Sequence, residues 1–498
     1  MIKLKFLLLI LFVFVSRSAP VSGQNNIDYN YQVVSLSVTY QTYDQIKPWS
    51  KKKPAIRSAN SVVVEGSLLL TTAQMVADAT LIQAKKNGEP GKVPARVVHV
   101  DREINLALIS VDKEGFFDDL KPVLLADELD TEGVVKSVRW KNRQLEVSSS
   151  RIRRIEVHPS RTGSVEQAYL VLMTDFTDGG WAEPVFSGTE LLGLTVSQSH
   201  QDVTRVLPVE TINAYLKEIS GKERYTGFGT FGTLWQVNRD HAVASWLGIE
   251  GDSYGVIIRK IPRGVTGDGI LQPKDVLISL GGHRIDADGF YVHPVYGRLR
   301  FTNILMQGYR IGDTVTAKVL RKKEVLDLEL EIKGFPAGLP LVPEKRSDHA
   351  PSYLVAGGLV FRELDHNLLL AFGENWKSRA NPRLVTYWAL ERWNHTPEKR
   401  RVIVLTYALP DSYNIGYHNL RDLIVDKVNG YSINSISDME EAFNHPENNL
   451  HIITFIRNPQ RNKIVLDAVT FEEATERILG MYNIPQRVRL EEKELPDF

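Results

Sequence analysis

From Tyr31 onward the chain is patterned in short runs where apolar and β-branched residues dominate. They are Tyr31 to Thr39, Ser61 to Leu70, Val93 to Val100, Leu106 to Val111, Arg151 to Val157, Leu170 to Thr174 and Leu191 to Val196. Turn formers divide them, among them Asn87-Gly88, Pro90-Gly91 and Asp178-Gly179-Gly180. Many short strands punctuated in this way predict an all-β barrel or sandwich. The stretch ends differently: Val209, Ile212, Tyr215, Leu216 and Ile219 recur at three and four, which predicts a helix over 208–219. Two further β-rich units follow, parted by a Pro- and Gly-containing linker from Gly334 to Pro343. A last helix is expected over Glu472 to Ile484, and the acidic tail is assigned to 486–498.

The N-terminus carries a different pattern. Lys3 and Lys5 precede an apolar run from Phe6 to Val15, and Val21, Ser22 and Gly23 offer a cleavage site before Gln24. This reads as a secretory signal over 1–23, and no later apolar stretch is long enough to span a bilayer. The chain has no cysteine, which excludes disulfides, thiol catalysis and zinc–thiolate sites. An exported chain without cysteines suits the periplasm of a Gram-negative-type bacterium.

Length changes the picture next: 498 residues suggest about three domains. Lys plus Arg and Asp plus Glu number 60 each, so no global field draws nucleic acid or an anionic membrane. Lys51-Lys52-Lys53 and Arg151 to Arg154 are local basic clusters that read as solvated surface. His283, His293, His349 and His418 lack ligand spacing, and no phosphate loop is present, so no metal or cofactor is expected.

Four fragments of the first 200 residues carry a family resemblance. Ser67-Leu68-Leu69-Leu70-Thr71-Thr72-Ala73-Gln74-Met75-Val76 is similar to the Deg/HtrA segment in which a strand runs into the catalytic histidine. Asp101-Arg102-Glu103-Ile104-Asn105-Leu106-Ala107-Leu108 resembles the family's aspartate segment. Leu172-Met173-Thr174-Asp175 followed by Gly179-Gly180-Trp181-Ala182-Glu183-Pro184-Val185 stands where the nucleophile loop lies. Leu192-Gly193-Leu194 and Thr204-Arg205-Val206-Leu207-Pro208 continue the match. The resemblance implies a mainly β chain: a trypsin-like double β-barrel over 27–221, each barrel six-stranded, followed by two PDZ-like α/β domains.

The departures are informative. Gln74 stands at the histidine, Asn105 at the aspartate and Trp181 at the serine. That chemistry needs a hydroxyl attacker, an imidazole to take its proton and a carboxylate to fix the imidazole. A carboxamide is no general base near neutral pH, and an indole has no nucleophilic atom. Loss of one member of such a unit costs on the order of a millionfold. Ala182 and Glu183 replace motif glycines, and a carboxylate there is expected to oppose a developing oxyanion. By this pathway the catalytic set is none. His99, between Val98 and Val100 on a predicted strand, reads as an outward or satisfied histidine, and Ser187, Ser197 and Ser199 read as ordinary turn or strand-end residues.

The first PDZ-like domain is placed at 227–334. Tyr254-Gly255-Val256-Ile257-Ile258 and Gly269-Ile270-Leu271-Gln272-Pro273-Lys274-Asp275-Val276-Leu277-Ile278 resemble the family's PDZ pattern, as does Gly312-Asp313 with Val315 to Arg321. A PDZ domain accepts a peptide as an added strand and holds its terminal carboxylate on backbone N–H groups. By position the resemblance assigns that loop to Ser253, Tyr254, Gly255 and Val256, and the pairing strand to Ile257 and Ile258. The insertion from Asp286 to Gly308 holds aromatic residues expected to pack. A second, weaker PDZ-like pattern spans 347–485, opening at Pro351-Ser352-Tyr353-Leu354-Val355-Ala356-Gly357-Gly358.

These readings make a non-catalytic protein that binds peptides or unfolded-protein C-termini the leading expectation. The resemblance also implies partnership with an active relative or a trimer-based homo-oligomer, with Tyr29, Tyr31, Tyr40 and Tyr43 available to that contact or to the core. Two alternatives stand beside it: an active endopeptidase with a displaced triad, and a purely structural subunit.

Overall fold

The computed structural model describes residues 28–490 apart from 128, 130–131, 142, 200–202, 222–223, 250–253, 337–339, 397–398 and 457–461. The leader read as a signal, Ser253, and the tail from 491 lie outside the described residues. Among those described, no helix is long and apolar enough to cross a membrane.

The first barrel comprises β1 (Val33–Tyr40), β2 (Ala55–Val64), β3 (Leu68–Thr71), a single-turn α1 (Ala73–Val76), β4 (Ala79–Lys85), β5 (Val93–Asp101) and β6 (Leu106–Val111). It closes in the order β1-β2-β3-β6-β5-β4. The run Ser61 to Leu70 is not one strand: Gly66 and Ser67 take positive φ of 81° and 56°, and the chain reverses between β2 and β3. The short strand β7 (Leu124–Leu125) leads to β8 (Val134–Lys141), β9 (Gln144–Pro159), β10 (Glu166–Met173), β11 (Pro184–Ser187), β12 (Glu190–Gln198) and β13 (Val203–Pro208). Pairing of β11 with both β8 and β12 closes these last six into a second barrel, with β7 added in parallel to β12. The expected helix is α2 (Val209–Gly221), which buries Val209, Ile212 and Tyr215. Inward apolar side chains of both barrels meet in shared cores, as the alternation along closed sheets requires.

A third unit follows: β14 (Leu234–Gln236), α3 (His241–Leu247), β15 (Val256–Lys260), β16 (Val276–Leu280), β17 (His283–Arg284), the hairpin β18 (Phe290–His293) and β19 (Gly297–Arg300), α4 (Ile304–Gly308), β20 (Thr314–Arg321) and β21 (Glu324–Glu331). Its main sheet runs β14-β15-β16-β20-β21. The aromatic insertion does pack: Tyr291 and Phe301 are buried, and Phe301 meets Phe231 and Trp235 edge-on. It also docks the unit on the second barrel, where Ala168 N–H donates to Asn303 Oδ1 at 2.9 Å.

The C-terminal unit holds β22 (Tyr353–Ala356), β23 (Leu359–Glu363), α5 (His366–Leu370), α6 (Trp376–Arg379), α7 (Pro382–Thr386), β24 (Ile403–Ala408), β25 (Leu423–Val428), β26 (Tyr431–Ser432), α8 (Ile436–Ala442), β27 (Leu450–Phe455), β28 (Lys463–Asp467), α9 (Phe471–Met481) and β29 (Val488–Arg489). The sheet order is β28-β27-β25-β24-β23-β22-β29. The acidic tail therefore begins later than 486, because β29 pairs with β22.

The loop between β1 and β2 fastens this unit to the first barrel. Trp49 packs against Tyr353 and Tyr407, and Arg489 donates to the Pro48 carbonyl at 3.1 Å. The buried Arg362 guanidinium donates to the Gln45 carbonyl at 2.6 Å and to its side-chain oxygen at 3.0 Å. The N-terminal tyrosines have work within the chain. Tyr29 packs at a tilt against Phe186, Tyr40 lies under the Arg57 guanidinium, and Tyr43 faces Lys51 and Arg489. Tyr31 is exposed, with the Lys121 ammonium over its ring.

Candidate functional site

Gln74 and Asn105 are brought together as their spacing implied. Strand β3 delivers Thr72 and the one-turn α1, while Asn105 sits buried at φ 64°, a left-handed conformation that asparagine tolerates. Gln74 N–H donates to Asn105 Oδ1 at 2.9 Å, and Asn105 Nδ2 donates to Gln74 Oε1 at 3.4 Å. The Gln74 amide then reaches across the interface, donating to the Gly180 carbonyl at 3.0 Å and the Val196 carbonyl at 2.8 Å. Three of the four contacts use the side-chain amide, one oxygen and two N–H donors, and the fourth uses the Gln74 backbone N–H. Gln74 thus clips the first barrel to the second, and Arg57 supports it by donating to the Gln74 and Ala77 carbonyls at 2.7 and 2.8 Å.

The nucleophile loop is organised around Glu183. This residue is 1% exposed. Its Oε2 accepts from Gly180 N–H at 3.0 Å and Trp181 N–H at 2.9 Å, and the Thr195 hydroxyl bonds the same oxygen. Thr195 Oγ1 in turn accepts from Glu183 N–H at 2.9 Å. In trypsin-like sites the N–H of the nucleophile residue serves the oxyanion hole; the Trp181 N–H, which the resemblance aligns with it, is taken up by an internal carboxyl group. Glu183 does not project into the cleft to repel an oxyanion: its chain turns inward. Burial pushes its carboxyl above the ordinary range, against the opposing pull of these donors. Gly180 is required for the turn, since its φ is 87° and a Cβ there would lie 2.7 Å from Ser197 Cα.

Trp181 itself points outward and is 41% exposed. It lines, with Gln74, a cleft of about 1250 Å³ between the barrels. Its backbone carbonyl accepts from Asn60 N–H at 2.9 Å, so the loop is held from both barrels. His99 is a satisfied histidine, its Nδ1 2.8 Å from Tyr215 Oη and its ring against Tyr225. Among the described residues no group of three or more His, Asp or Glu has a metal-binding arrangement.

A second carboxyl group joins the barrels from the far side of the aspartate segment. Glu103 Oε2 accepts from Ser164 N–H at 2.7 Å and Val165 N–H at 3.2 Å. Burial, with Asp101 nearby, raises its pKa to about 7. An acid whose native pKa is raised keeps its proton when the unfolded chain has lost it. Its stabilisation is full below the unfolded value near 4.5 and falls as pH rises through about 7. The loss over that window is about 3 kcal/mol at most. Denaturation midpoints at pH 4.5, 6 and 7.5 check this: the wild type weakens with rising pH, and Glu103→Gln flattens the profile.

The peptide-binding assignment needs correction. Ile257 and Ile258 lie in β15, whose two edges are already paired with β14 and β16, so no added strand fits there. Gly255 N–H donates to the Ile285 carbonyl, and the Tyr254 carbonyl accepts from Asn238 Nδ2. Val256 is fully buried in the core. The segment is a closed turn, with Gly255 at φ 68° and no room for a Cβ beside the Leu277 carbonyl. The edge strands of this sheet are β21 and β14, and it is β14, Leu234–Gln236, with the half-buried Trp235 in it and the buried Phe231 before it, that lies beside β15. A short Gly-flanked run does not show from sequence which of two neighbouring strands will be outermost.

Comparison with known proteins agrees with this layout. A PDZ domain family model matches residues 342–489. The chain is 23% identical over 461 residues to protease Do-like 4, mitochondrial, of Arabidopsis thaliana, covering 91% of this chain and 84% of the relative. It is 23% identical over 462 residues to protease Do-like 2, chloroplastic, of the same plant, covering 91% and 74%. Among solved structures it is similar to the HtrA-type protease AlgW with decapeptide, at TM-score 0.47 and 17% identity, over 62% of this chain and 96% of that one. The serine endoprotease from Yersinia pestis aligns at TM-score 0.41 and 14% identity, over 61% and 95%. The chain is thus similar to the Do-like proteases over most of its length, and it is mostly β, with two closed barrels and a C-terminal unit that matches a PDZ domain.

Proposed function

We propose that this protein is a non-catalytic Do-like protease homologue of the cell envelope, which binds polypeptide segments or a protein partner without cutting them. The observation that carries this reading is the pair of substitutions made at the heart of the site. An inter-barrel amide clip, Gln74, stands where the resemblance puts the general base, and the Trp181 N–H, where the resemblance puts an oxyanion donor, is bonded to the Glu183 carboxyl. A carboxamide takes no proton from an attacking hydroxyl, and Trp181 offers none to attack with. The unit over 227–334 fits a PDZ-like role through β14, whose open edge can be extended by an incoming strand.

Purified protein is expected to leave unfolded casein intact and to show no labelling by a fluorophosphonate probe. Stoichiometric labelling of a single serine, with casein cleavage lost when that serine becomes alanine, overturns the proposal. The displaced-triad alternative gains nothing from His99, whose partner is a tyrosine hydroxyl on α2.

A further inference from the structure

The cleft beside Trp181 is charged in a way that the rest of the chain is not. Nine Lys and Arg residues line it against four acidic ones, in a chain whose total charge is balanced. The four acids have engagements of their own. Glu183 is buried under its loop, Asp178 is bonded by Arg139 and Lys141, Glu89 is bonded by Lys113, and Asp78 accepts from Asp348 N–H. On the basic side, Lys92 bonds only the Ser37 hydroxyl among the described residues. Lys85, Arg143 and Arg161 have no ion pair to a carboxylate among the described residues. The excess positive charge thus faces open solvent. Lys85 and Lys92 lie on the β4–β5 hairpin of the first barrel. Arg143 stands at the β8–β9 turn and Arg161 on the β9–β10 connection of the second. The cations therefore flank the exposed Trp181 from both sides of the barrel interface.

Like charges gathered along a concave wall focus the field and raise the local concentration of anions. Such an array without a negative partner is kept only at a cost in mutual repulsion, which a bound anionic chain relieves. An exposed indole at the centre adds an apolar anchor of the kind that dominates peptide contacts. A single-stranded nucleic acid would want a row of stacking aromatics. Trp181 is the strongly exposed one here, and Tyr40 is covered by the Arg57 guanidinium.

Building on the non-catalytic reading of this site, we infer that the cleft holds acidic polypeptide segments, with an apolar residue seated on Trp181 and carboxylates on the flanking cations. The test is fluorescence anisotropy on the full chain with three labelled probes. They are an octapeptide of Glu and Asp around a central Leu, its Gln and Asn isostere, and a single-stranded oligonucleotide. The acidic peptide is expected to bind at least about tenfold more tightly than its isostere, and to weaken as salt is raised. A Lys85→Glu, Arg143→Glu, Arg161→Glu variant is expected to erase that preference, and Trp181→Ala to weaken both peptides alike. Circular dichroism and the melting midpoint confirm that these surface variants fold. Equal affinity for the two peptides, unmoved by the charge reversals, overturns the acidic selectivity and leaves the non-catalytic reading intact. Tighter binding of the oligonucleotide overturns it in favour of nucleic acid. Failure of every probe to bind overturns occupancy of the cleft, whereas serine labelling is the separate result that removes the non-catalytic reading.

Discussion

Replacing Glu183 by Leu is expected to destabilise the barrel pair by about 3 kcal/mol, while Glu183→Gln costs less, about 1–2 kcal/mol. Leu keeps the volume of the side chain but withdraws the acceptor from Gly180 N–H, Trp181 N–H and the Thr195 hydroxyl. Buried donors left without a partner cost about 1–3 kcal/mol each. Gln presents one carbonyl oxygen to the same donors. Its amide would occupy the place of Oε1, which already lacks a partner among the described residues. Gln also removes the titration: the raised carboxyl of Glu183 contributes stability at low pH that fades as pH rises above the unfolded value, and the amide does not. Denaturant midpoints measure the loss. Hydrogen exchange at the Gly180 and Trp181 amides localises it, with faster exchange expected in Leu and near-native protection in Gln. Unchanged protection in the Leu variant would show that the carboxyl does not organise this loop.

The Arg362→Ala variant is expected to free the β1–β2 loop from the C-terminal unit, at about 3–5 kcal/mol of local stability. The guanidinium is enclosed, 1% exposed, and its charge is compensated by the Gln45 carbonyl, the Gln45 side chain and Asp365 at 3.5 Å. Burial holds its pKa below the usual arginine value, the sign of a charge kept from water. Removal of the arginine leaves the Gln45 carbonyl buried without its donor. Asp365 retains its bond to Leu368 N–H at the start of α5, so the C-terminal sheet is expected to stay folded. In a chain of several units no single unfolding energy is defined. Limited proteolysis is therefore the measurement: cutting within 44–50 is expected to accelerate at least tenfold, with the C-terminal unit still resistant. A variant cut no faster than wild type would place the anchor in the Trp49 packing against Tyr353 and Tyr407 instead.

Most of the architecture was legible along the chain. Strand alternation, turn residues and the three-and-four recurrence of α2 report local geometry, and local geometry depends on neighbours a few residues away. The pairing of position 74 with position 105 was legible for the same reason that it was specific: four motif fragments stood in one order at fixed separations. The strand break at Gly66 and Ser67 was missed because apolar residues resume at Leu68 soon after the run Val62 to Val64, and the positive φ angles mark the reversal. The strand assigned to peptide pairing, β15, is paired on both sides, and β14 lies outside it. Apolar content cannot distinguish β15, enclosed on both sides, from β14, which closes the sheet.

By itself the sequence determined which functional groups stand at 74, 105 and 181, the positions that the resemblance gives to a triad, and so which proton transfers those groups can make. What those groups do instead was decided only in three dimensions. Whether Glu183 points into the cleft or under its loop depends on Thr195 and on two N–H groups from a turn folded back by Gly180. The basic cleft likewise collects Lys85, Arg143 and Arg161 from separate strands and turns of two barrels, which adjacency along the chain could not bring into one list. Charge adds through space, over about a Debye length, and not along the backbone.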